Sequence, residues 1–302
     1  MNDIKHLQAY KDFISFERRL SDHTVKNYFR DIDMLIQHNK GISLGELKSN
    51  NIRNSIASLH ARGLSSNSLS RILSSWKGLF VFLVDQHHFK HNPVLEIKAP
   101  KKSKKLPQTL SVDQTIKLVN IVGDDFISLR DHAILELFYS SGLRLSELVN
   151  LKIEDINFSD EIISVLGKGK KMRIVPIGKE AIQALRKWIK SRSQLKNVAN
   201  NSVLFLTNQT KQLTQRAVQY RLKFWAKKQG ISENIHPHLL RHSFASHLLQ
   251  SSQDLRAVQE LLGHENISST QIYTHLDFQH LAKTYDQAHP RVKKNKSDRS
   301  FH

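Results

Sequence analysis

The chain has 302 residues with 46 Lys or Arg against 27 Asp or Glu, and its formal net charge is +19. It has no Cys, which excludes a disulfide framework, Cys-ligated metals and a thiol nucleophile. Hydrophobic residues make up 39% of the chain, enough for real cores, and the length favours two domains over one. A basic surplus of this size on a folded chain indicates a polyanionic partner. Nucleic acid is the first choice, and an anionic membrane surface is the weaker one because no basic amphipathic anchor is visible.

No segment of the sequence is suited to insertion into a membrane. Residues 1–6 lead into no apolar stretch, and the longest apolar run, residues 79–84, is far shorter than the ~20 residues of a membrane span. We therefore expect no membrane insertion and a cytoplasmic location, which the lack of Cys permits.

Residues 1–90 are predicted to form an all-α domain. Apolar side chains recur at helical spacing in four runs, which cover residues 7–20, 21–40, 44–62 and 65–83. Gly41 and Gly63 follow the second and third runs, and the Ser-rich residues 65–68 can cap the fourth. Four amphipathic helices suit a small helical bundle.

Residues 91–108 are predicted to form a basic linker between two domains. Three prolines bracket five lysines there, and clustered lysines repel one another, so we expect this segment to be extended and solvated. It could be a mere tether or, in a chain this basic, a strap that lies along DNA phosphates.

The region 109–290 is predicted to be a second domain, mainly α with a small antiparallel sheet, followed by a basic tail at 291–302. Residues 162–166 and 173–176 have strand character and flank a Gly-containing turn. Helical patterns resume at Ser111 and recur at residues 131–139, 145–151, 180–190, 214–229, 243–250, 254–262 and 269–285.

Three motifs of this second domain could carry chemistry. In the first, Arg144 follows the Gly142 turn at the start of a helix, where a guanidinium and the helix N-terminus both favour an anion. In the second, His238 and Arg241 share one face of a helix, so that an acid–base group and a fixed cation could act on one site. Taken alone, Arg144 and Glu147 would more often be a surface ion pair, and His238 and Arg241 more often a solvated helix face.

The third motif is a turn followed by a helix start. Gly263 can end one helix and Ser268 or Ser269 can cap the next, which leaves His264 in a tight loop and Tyr273 about one turn into the helix. A tyrosine in such a position is more often a core or interface residue.

Taken together, the motifs resemble the active-site set of the tyrosine site-specific recombinases, and the Xer subgroup in particular. The matching set, with no position that departs from the family pattern, is Arg144, Lys168, His238, Arg241, His264 and Tyr273. The resemblance covers nearly the whole chain, and residues 278–291 are similar to one branch of that subgroup. It implies a SAM-like helical core-binding domain followed by a catalytic domain of the tyrosine recombinase fold.

The resemblance also implies roles for these residues. Arg144 and Arg241, with His264 assisting, would bind the non-bridging phosphate oxygens, and Tyr273 would attack phosphorus to give a 3′-phosphotyrosyl intermediate. His238 would exchange the phenol proton, and Lys168 would protonate the departing 5′ oxygen. Because the covalent link conserves the energy of the phosphodiester, no cofactor, metal or ATP is expected.

The N-terminal domain would complete a clamp around duplex DNA. Polar side chains of its second and fourth helices could contact phosphates and base edges, or could be merely the wet faces of these helices. The candidates are Thr24, Lys26, Asn27, Arg30, Ser68, Arg71 and Lys77.

By the same resemblance, the partners would be a short pseudo-palindromic DNA site, a related second recombinase in a tetramer with two copies of each, and a septal DNA translocase. The expected process is the resolution of chromosome dimers. Residues 276–285 have enough apolar surface to dock on a neighbouring protomer, or to cover their own domain.

Three alternatives stay open at this point. The chain could be an integrase or resolvase of a mobile element, which uses the same chemistry, or a DNA-binding protein without catalysis, although the intact set of six residues argues against the latter. His238 and His242 have a spacing that zinc can use, but the sequence has no His-Glu-x-x-His motif and no obvious third ligand.

Overall fold

The structure is a computed structural model that describes residues 2–100, 109–167, 172–198 and 201–254, together with Val258, Leu261 and Ala288. The chain divides into two compact units, residues 1–106 and 107–302. The junction falls inside the segment 91–108 that the sequence predicts as a linker, and the finer domain boundaries stay predictions. The predicted helix 269–285 and most of the helix 254–262 lie outside the described residues.

The first unit is helical, in agreement with the prediction. Its helices are α1 (Asn2–Asp12), α2 (Asp22–His38), α3 (Ser49–Ala61) and α4 (Ser66–His87). Ser21 and Ser65 cap α2 and α4, since each hydroxyl accepts a hydrogen bond from the backbone N–H three residues later, at 3.3 Å. The apolar faces meet in one core, and its largest fully buried side chains include Trp76, Phe80 and Leu35.

Two of the predicted helices are shorter than their apolar patterns indicate. The first apolar run, residues 7–20, is α-helical only as far as Asp12, the last residue of α1, and a π-helical turn follows over Phe13–Glu17. Leu20 therefore lies beyond the helical part of this run. The third run is broken into a 3₁₀ turn, Leu44–Glu46, and α3. The break follows from Ser43 and Glu46, which form a capping box that completes a separate short turn.

The expectation of an extended, solvated linker is wrong for its first part. Residues 93–96 form a turn, and the Val94 side chain is buried in the core of the first unit. Ile97 and Ala99 pack partly against the same core. These apolar side chains outweigh the local preference of proline for an extended chain. The lysines at 101–105 lie outside the described residues.

The second unit combines helices with a small sheet, as predicted. Its helices are α5 (Val112–Val119), α6 (Phe126–Ser141), α7 (Leu145–Asn150), α8 (Lys179–Arg192), α9 (Gln215–Lys228) and α10 (Pro237–Ser252). Among the described residues, the strands β1 (Ile156–Asn157), β2 (Ile162–Leu166) and β3 (Met172–Pro176) form an antiparallel sheet in the order β1-β2-β3. The register pairs Val165 with Arg173 and Ile163 with Val175. β1 was not predicted.

Two helices of this unit begin earlier than the apolar pattern indicates. α6 starts at Phe126, where Asp125 caps it through two backbone N–H groups at 3.1 Å each. α10 starts at Pro237, before the apolar run at residues 243–250, and so includes His238 and Arg241 in one helix as their motif predicts. Both helices are buried on most sides, so neither shows a clear polar face from which a periodic pattern could be recognised.

Candidate active site

Arg144 is positioned by the turn between α6 and α7. Gly142 ends α6 with φ +56, and its N–H donates to the Phe138 carbonyl at 3.0 Å. Glycine adopts this left-handed conformation at the least cost, so the chain can reverse here within two residues. Arg144 then occupies the N-cap position of α7, with its side chain about one-third exposed.

Glu147 connects Arg144 to a second arginine on the sheet. Its Oε2 accepts from the Arg144 backbone N–H at 2.8 Å, and its Oε1 accepts from Arg144 Nη1 at 2.9 Å. The same two oxygens accept from Arg173 on β3, Oε1 from Nη1 at 2.7 Å and Oε2 from Nη2 at 2.8 Å. The pair of Arg144 and Glu147 is therefore not a surface ion pair, because Glu147 is buried and shared.

The two arginines keep the Glu147 carboxyl ionised. Burial alone would raise the pKa of the Glu147 carboxyl, but hydrogen bonds from Arg173 and Arg144 and the charge of Arg173 lower it to about 2. Glu147 is thus ionised at neutral pH and offsets one of several nearby guanidinium charges.

Arg241 on α10 adds another guanidinium to the group. It is 9% exposed, and its Nη1 donates to the Gly142 carbonyl, so it also holds the turn that precedes Arg144. Burial, followed by the charges of Arg144 and Arg173, lowers the pKa of Arg241 to about 10, while Glu147 opposes the shift. Arg144, Arg173, Arg241 and Glu147 form what we call the arginine cluster, in which Glu147 bonds to Arg144 and Arg173 and interacts electrostatically with Arg241.

The sequence predicted that His238 and Arg241 share a helix face, but their surroundings differ. His238 is exposed whereas Arg241 is buried. The His236 ring stacks near His238, with centroids 6.4 Å apart, and His236 Nδ1 accepts the Leu239 N–H at 3.1 Å to cap α10. Burial, together with the charges of His238 and Lys223, lowers the pKa of His236. His236 therefore stays neutral and can accept this bond.

A second buried network fixes α10 to the start of the second unit. His247 Nε2 lies 2.8 Å from the Leu110 carbonyl and must donate to it, and His247 Nδ1 then accepts from the Tyr139 hydroxyl at 3.0 Å. The Leu110 N–H donates to the Ser243 hydroxyl at 3.0 Å. His247 is therefore a hydrogen-bonding residue of the buried side of α10.

An ion pair and a hydrogen bond connect α2 and α4, the two helices of the first unit that carry the candidate DNA-contact residues. Arg71 on α4 forms an ion pair with the buried Asp31 on α2, and Trp76 Nε1 donates to the Asp31 carbonyl at 2.6 Å. Arg71 is therefore also a structural residue. Thr24 and Ser68 lie in the first turns of their helices, and Asn27 contacts His23 at 2.9 Å. Lys26, Arg30 and Lys77 are exposed.

α9 carries a basic and aromatic surface that the three motifs of the sequence analysis do not include. Arg216, Tyr220, Lys223 and Lys227 are exposed at the helical spacing i, i+4, i+7 and i+11. Tyr220 is 66% exposed. An exposed aromatic ring among cations suits contact with nucleic acid, and this pattern could have been recognised from the sequence.

Of the six predicted catalytic residues, the structure describes Arg144, His238 and Arg241. It brings Arg144 and Arg241 to the same turn, since Arg241 holds Gly142 two residues before Arg144. Lys168, His264 and Tyr273 lie outside the described residues. Within the described part of the chain, no three His, Asp or Glu side chains are grouped as metal ligands. Its helices include none with the length and apolar character needed to cross a bilayer.

Comparison with known proteins defines the class to which this fold and cluster belong. Residues 108–280 match the sequence model of the phage integrase family, and residues 7–87 match the N-terminal SAM-like domain of phage integrases. The tyrosine recombinase XerC of Pseudomonas fluorescens (strain Pf0-1) is 49% identical over 301 residues, which cover 98% of this chain and 99% of that protein. XerC of Shewanella sp. (strain ANA-3) is 47% identical over 96% of each chain.

Solved structures agree with this classification. The crystal structure of XerA recombinase is 29% identical with a TM-score of 0.50, over 96% of this chain and 99% of its own. XerH bound to a palindromic difH substrate is 24% identical with a TM-score of 0.68, over 87% and 79%, a likeness of fold. The chain therefore belongs to the phage integrase family and is a tyrosine recombinase, an enzyme of site-specific recombination that binds duplex DNA, cleaves it and rejoins it. Within the family its sequence resembles the XerC branch of the Xer subgroup.

Proposed function

We propose that Arg144 and Arg241 of the arginine cluster bind the scissile phosphate and that Tyr273 is the nucleophile that attacks it. The observation that carries this proposal is that Arg144 and Arg173 share the carboxylate of Glu147, while Arg241 holds the turn before Arg144 and lies close enough for the charges of the other two to lower its pKa. The cluster therefore carries three guanidinium charges against one carboxylate charge. Such a site complements the charge that develops on a phosphodiester as it becomes pentacoordinate.

The remaining residues of the set supply the proton transfers. A phenol with an ordinary pKa of about 10 is mostly protonated at neutral pH, so Tyr273 must lose its proton as it bonds to phosphorus. His238, exposed near the start of α10, is proposed to take up that proton. Lys168 is proposed to donate a proton to the departing 5′ oxygen, and His264 to assist the two arginines at the non-bridging oxygens.

The reaction stores the energy of the broken bond in the 3′-phosphotyrosyl link. A 5′ hydroxyl of another strand can then attack this link, which releases Tyr273 and reseals the DNA with no ATP and no metal. The proposed set accordingly relies on cations and imidazoles.

The exposed polar residues of α2 and α4 are proposed to position the duplex, and the basic face of α9 to add contacts to it. Phosphate contacts of this kind fix the register of a protein on DNA without reading its sequence.

The proposed cellular role is the resolution of chromosome dimers at a short pseudo-palindromic site. The similarity to XerC relatives over nearly the full chain supports it. The proposed assembly is a heterotetramer with a XerD-like recombinase, two copies of each, dependent on a septal DNA translocase. If the assembly is correct, a duplex with one half-site for each recombinase will recombine only when both proteins are present.

A nicked suicide duplex in EDTA tests the chemistry. We expect a covalent protein–DNA adduct with the wild type and none with Tyr273→Phe; no wild-type adduct, or an equal adduct with the variant, contradicts the Tyr273 mechanism. Lys168→Ala should cleave slowly, and a substrate with a 5′-bridging sulfur, a better leaving group, should restore its rate. Equal loss on both substrates removes Lys168 from the general-acid role.

A further inference from the structure

Arg173 is a buried arginine that the six-residue set does not include. It lies on the inward face of β3 opposite Val165, and its side chain is only 7% exposed. A guanidinium at such a position is costly to desolvate unless a carboxylate compensates its charge. The compensating group is Glu147, 26 residues earlier in the chain.

The geometry of the contact is a fork. Arg173 Nη1 and Nη2 donate to the two separate oxygens of Glu147, at 2.7 and 2.8 Å. A two-point contact of this kind fixes the plane of the carboxylate as well as its position. Glu147 in turn accepts from the backbone and the side chain of Arg144. Thus the carboxylate that holds Arg144 is itself held by Arg173.

We propose that Arg173 is a positioning residue for strand cleavage, which fixes Glu147 in the orientation that presents Arg144 to the phosphate. The inference rests on the proposed role of Arg144 and adds to it. Without the fork, Glu147 turns to Arg144 as its main partner. Arg144 is then drawn into a one-to-one pair, and its charge is compensated where the phosphate needs it uncompensated.

The same contact links two parts of the site. Arg173 stands five residues after Lys168, on the strand that follows the predicted hairpin turn, whereas Glu147 is on the helix that begins at Arg144. The fork therefore joins the strand that leads from Lys168 to the helix that carries Arg144.

Single-turnover cleavage of the nicked suicide duplex, at saturating protein, tests the proposal. Arg173→Lys keeps the charge and loses the fork, and we expect it to form the adduct about 30-fold more slowly, because small misplacements of a catalytic group cost rate steeply. Its affinity for the duplex should stay within about 3-fold of the wild type, since Arg173 itself does not touch DNA. Glu147→Gln should slow cleavage, and the double variant should be no more than about 3-fold slower than Glu147→Gln alone.

Arg192→Lys is the matched control. Arg192 is a buried arginine of the same unit, and its Nη2 donates to the Val203 carbonyl at 2.7 Å. The Arg192→Lys variant tests the general effect of removing a buried guanidinium. We expect it to form the adduct at the wild-type rate per folded protein.

A pH profile separates positioning from structural support. In Arg173→Met, Glu147 loses the partner that lowers the pKa of its carboxyl, while burial still raises that pKa. We expect a new inflection in the pH profile of the cleavage rate on the acid side, where Glu147 becomes protonated, and we expect it to be absent in Arg192→Lys and in the double variant with Glu147→Gln.

Three results would overturn the proposal: wild-type cleavage by Arg173→Lys, multiplicative losses in the double variant, or a loss per folded protein matched by Arg192→Lys. If Arg173→Met does not fold, Arg173→Lys decides. Absence of an adduct with the wild type would instead remove the Tyr273 mechanism, and this inference with it.

Discussion

Glu147→Gln should destabilise the catalytic unit by about 3 kcal/mol. The pKa of its carboxyl lies at about 2 instead of 4.5, and at about 1.4 kcal/mol per pKa unit the folded unit prefers the ionised over the neutral group by about 3 kcal/mol. Glutamine removes the charge and also turns an amide donor toward a guanidinium. The expected loss agrees with the roughly 3–5 kcal/mol found when one partner of a buried ion pair is removed.

Urea unfolding at pH 7.5, followed by tryptophan fluorescence, measures this loss. Trp188 and Trp225 are buried in the catalytic unit and report on its unfolding. The matched control is Glu154→Gln, because the Glu154 side chain is 68% exposed and pairs with the exposed Lys152. We expect the control to change stability by less than about 0.5 kcal/mol. A loss below about 1 kcal/mol for Glu147→Gln would refute the assignment of Glu147 as a buried, shared anion.

Three further predictions concern other parts of the chain. Arg71→Ala removes the nearer of two arginines that pair with the buried Asp31 carboxylate and leaves Arg30 at 4.0 Å. Because the Arg71 side chain is 40% exposed, we expect the first unit to lose about 1–2 kcal/mol, with recovery in the double variant with Asp31→Asn. No recovery would mean that Arg71 does not stabilise this unit through Asp31. Burial lowers the pKa of the His247 imidazole in the folded protein. As the pH drops below about 6.5, the unfolded chain therefore binds a proton at His247 before the folded protein does, and the free energy of unfolding falls. Urea unfolding from pH 7.5 to 5 measures the slope of the unfolding free energy against pH. In His247→Gln this slope should correspond to up to one proton fewer bound on unfolding. An unchanged slope would contradict a buried neutral imidazole at His247. Lys26→Ala should reduce the slope of log affinity against log salt by about 1, whereas the exposed Lys40→Ala should leave it unchanged; equal slopes for both would argue against a phosphate contact by Lys26.

The first unit was predictable because its signals are local. Ser21 and Ser65 act on backbone groups three residues away, and the apolar faces of α2 and α4 repeat with the period of a helix. The errors arose where a local signal met tertiary packing, as at Val94, which leaves the proline-rich segment to enter the core.

The site was predictable only in part, for the same reason. Arg144, His238 and Arg241 belong to short motifs that can be read in the sequence. The partners of Glu147 and Leu110 cannot be read there, because Arg173 is 26 residues from Glu147 and Ser243 is 133 residues from Leu110. Because successive side chains of a strand point to opposite faces, the sequence of β3 places Arg173 on the same buried face as Val175. It does not show which carboxylate binds the Arg173 guanidinium.

The two hydrogen bonds that hold the main chain of Leu110 also tie the early part of the second unit to one helix. Ser243 accepts from the Leu110 N–H and His247 donates to the Leu110 carbonyl, so both bonds end on α10. Ser243 lies two residues after Arg241. A substitution that weakens either bond therefore acts on the same helix that supplies Arg241, although Leu110 is far from that arginine in the sequence.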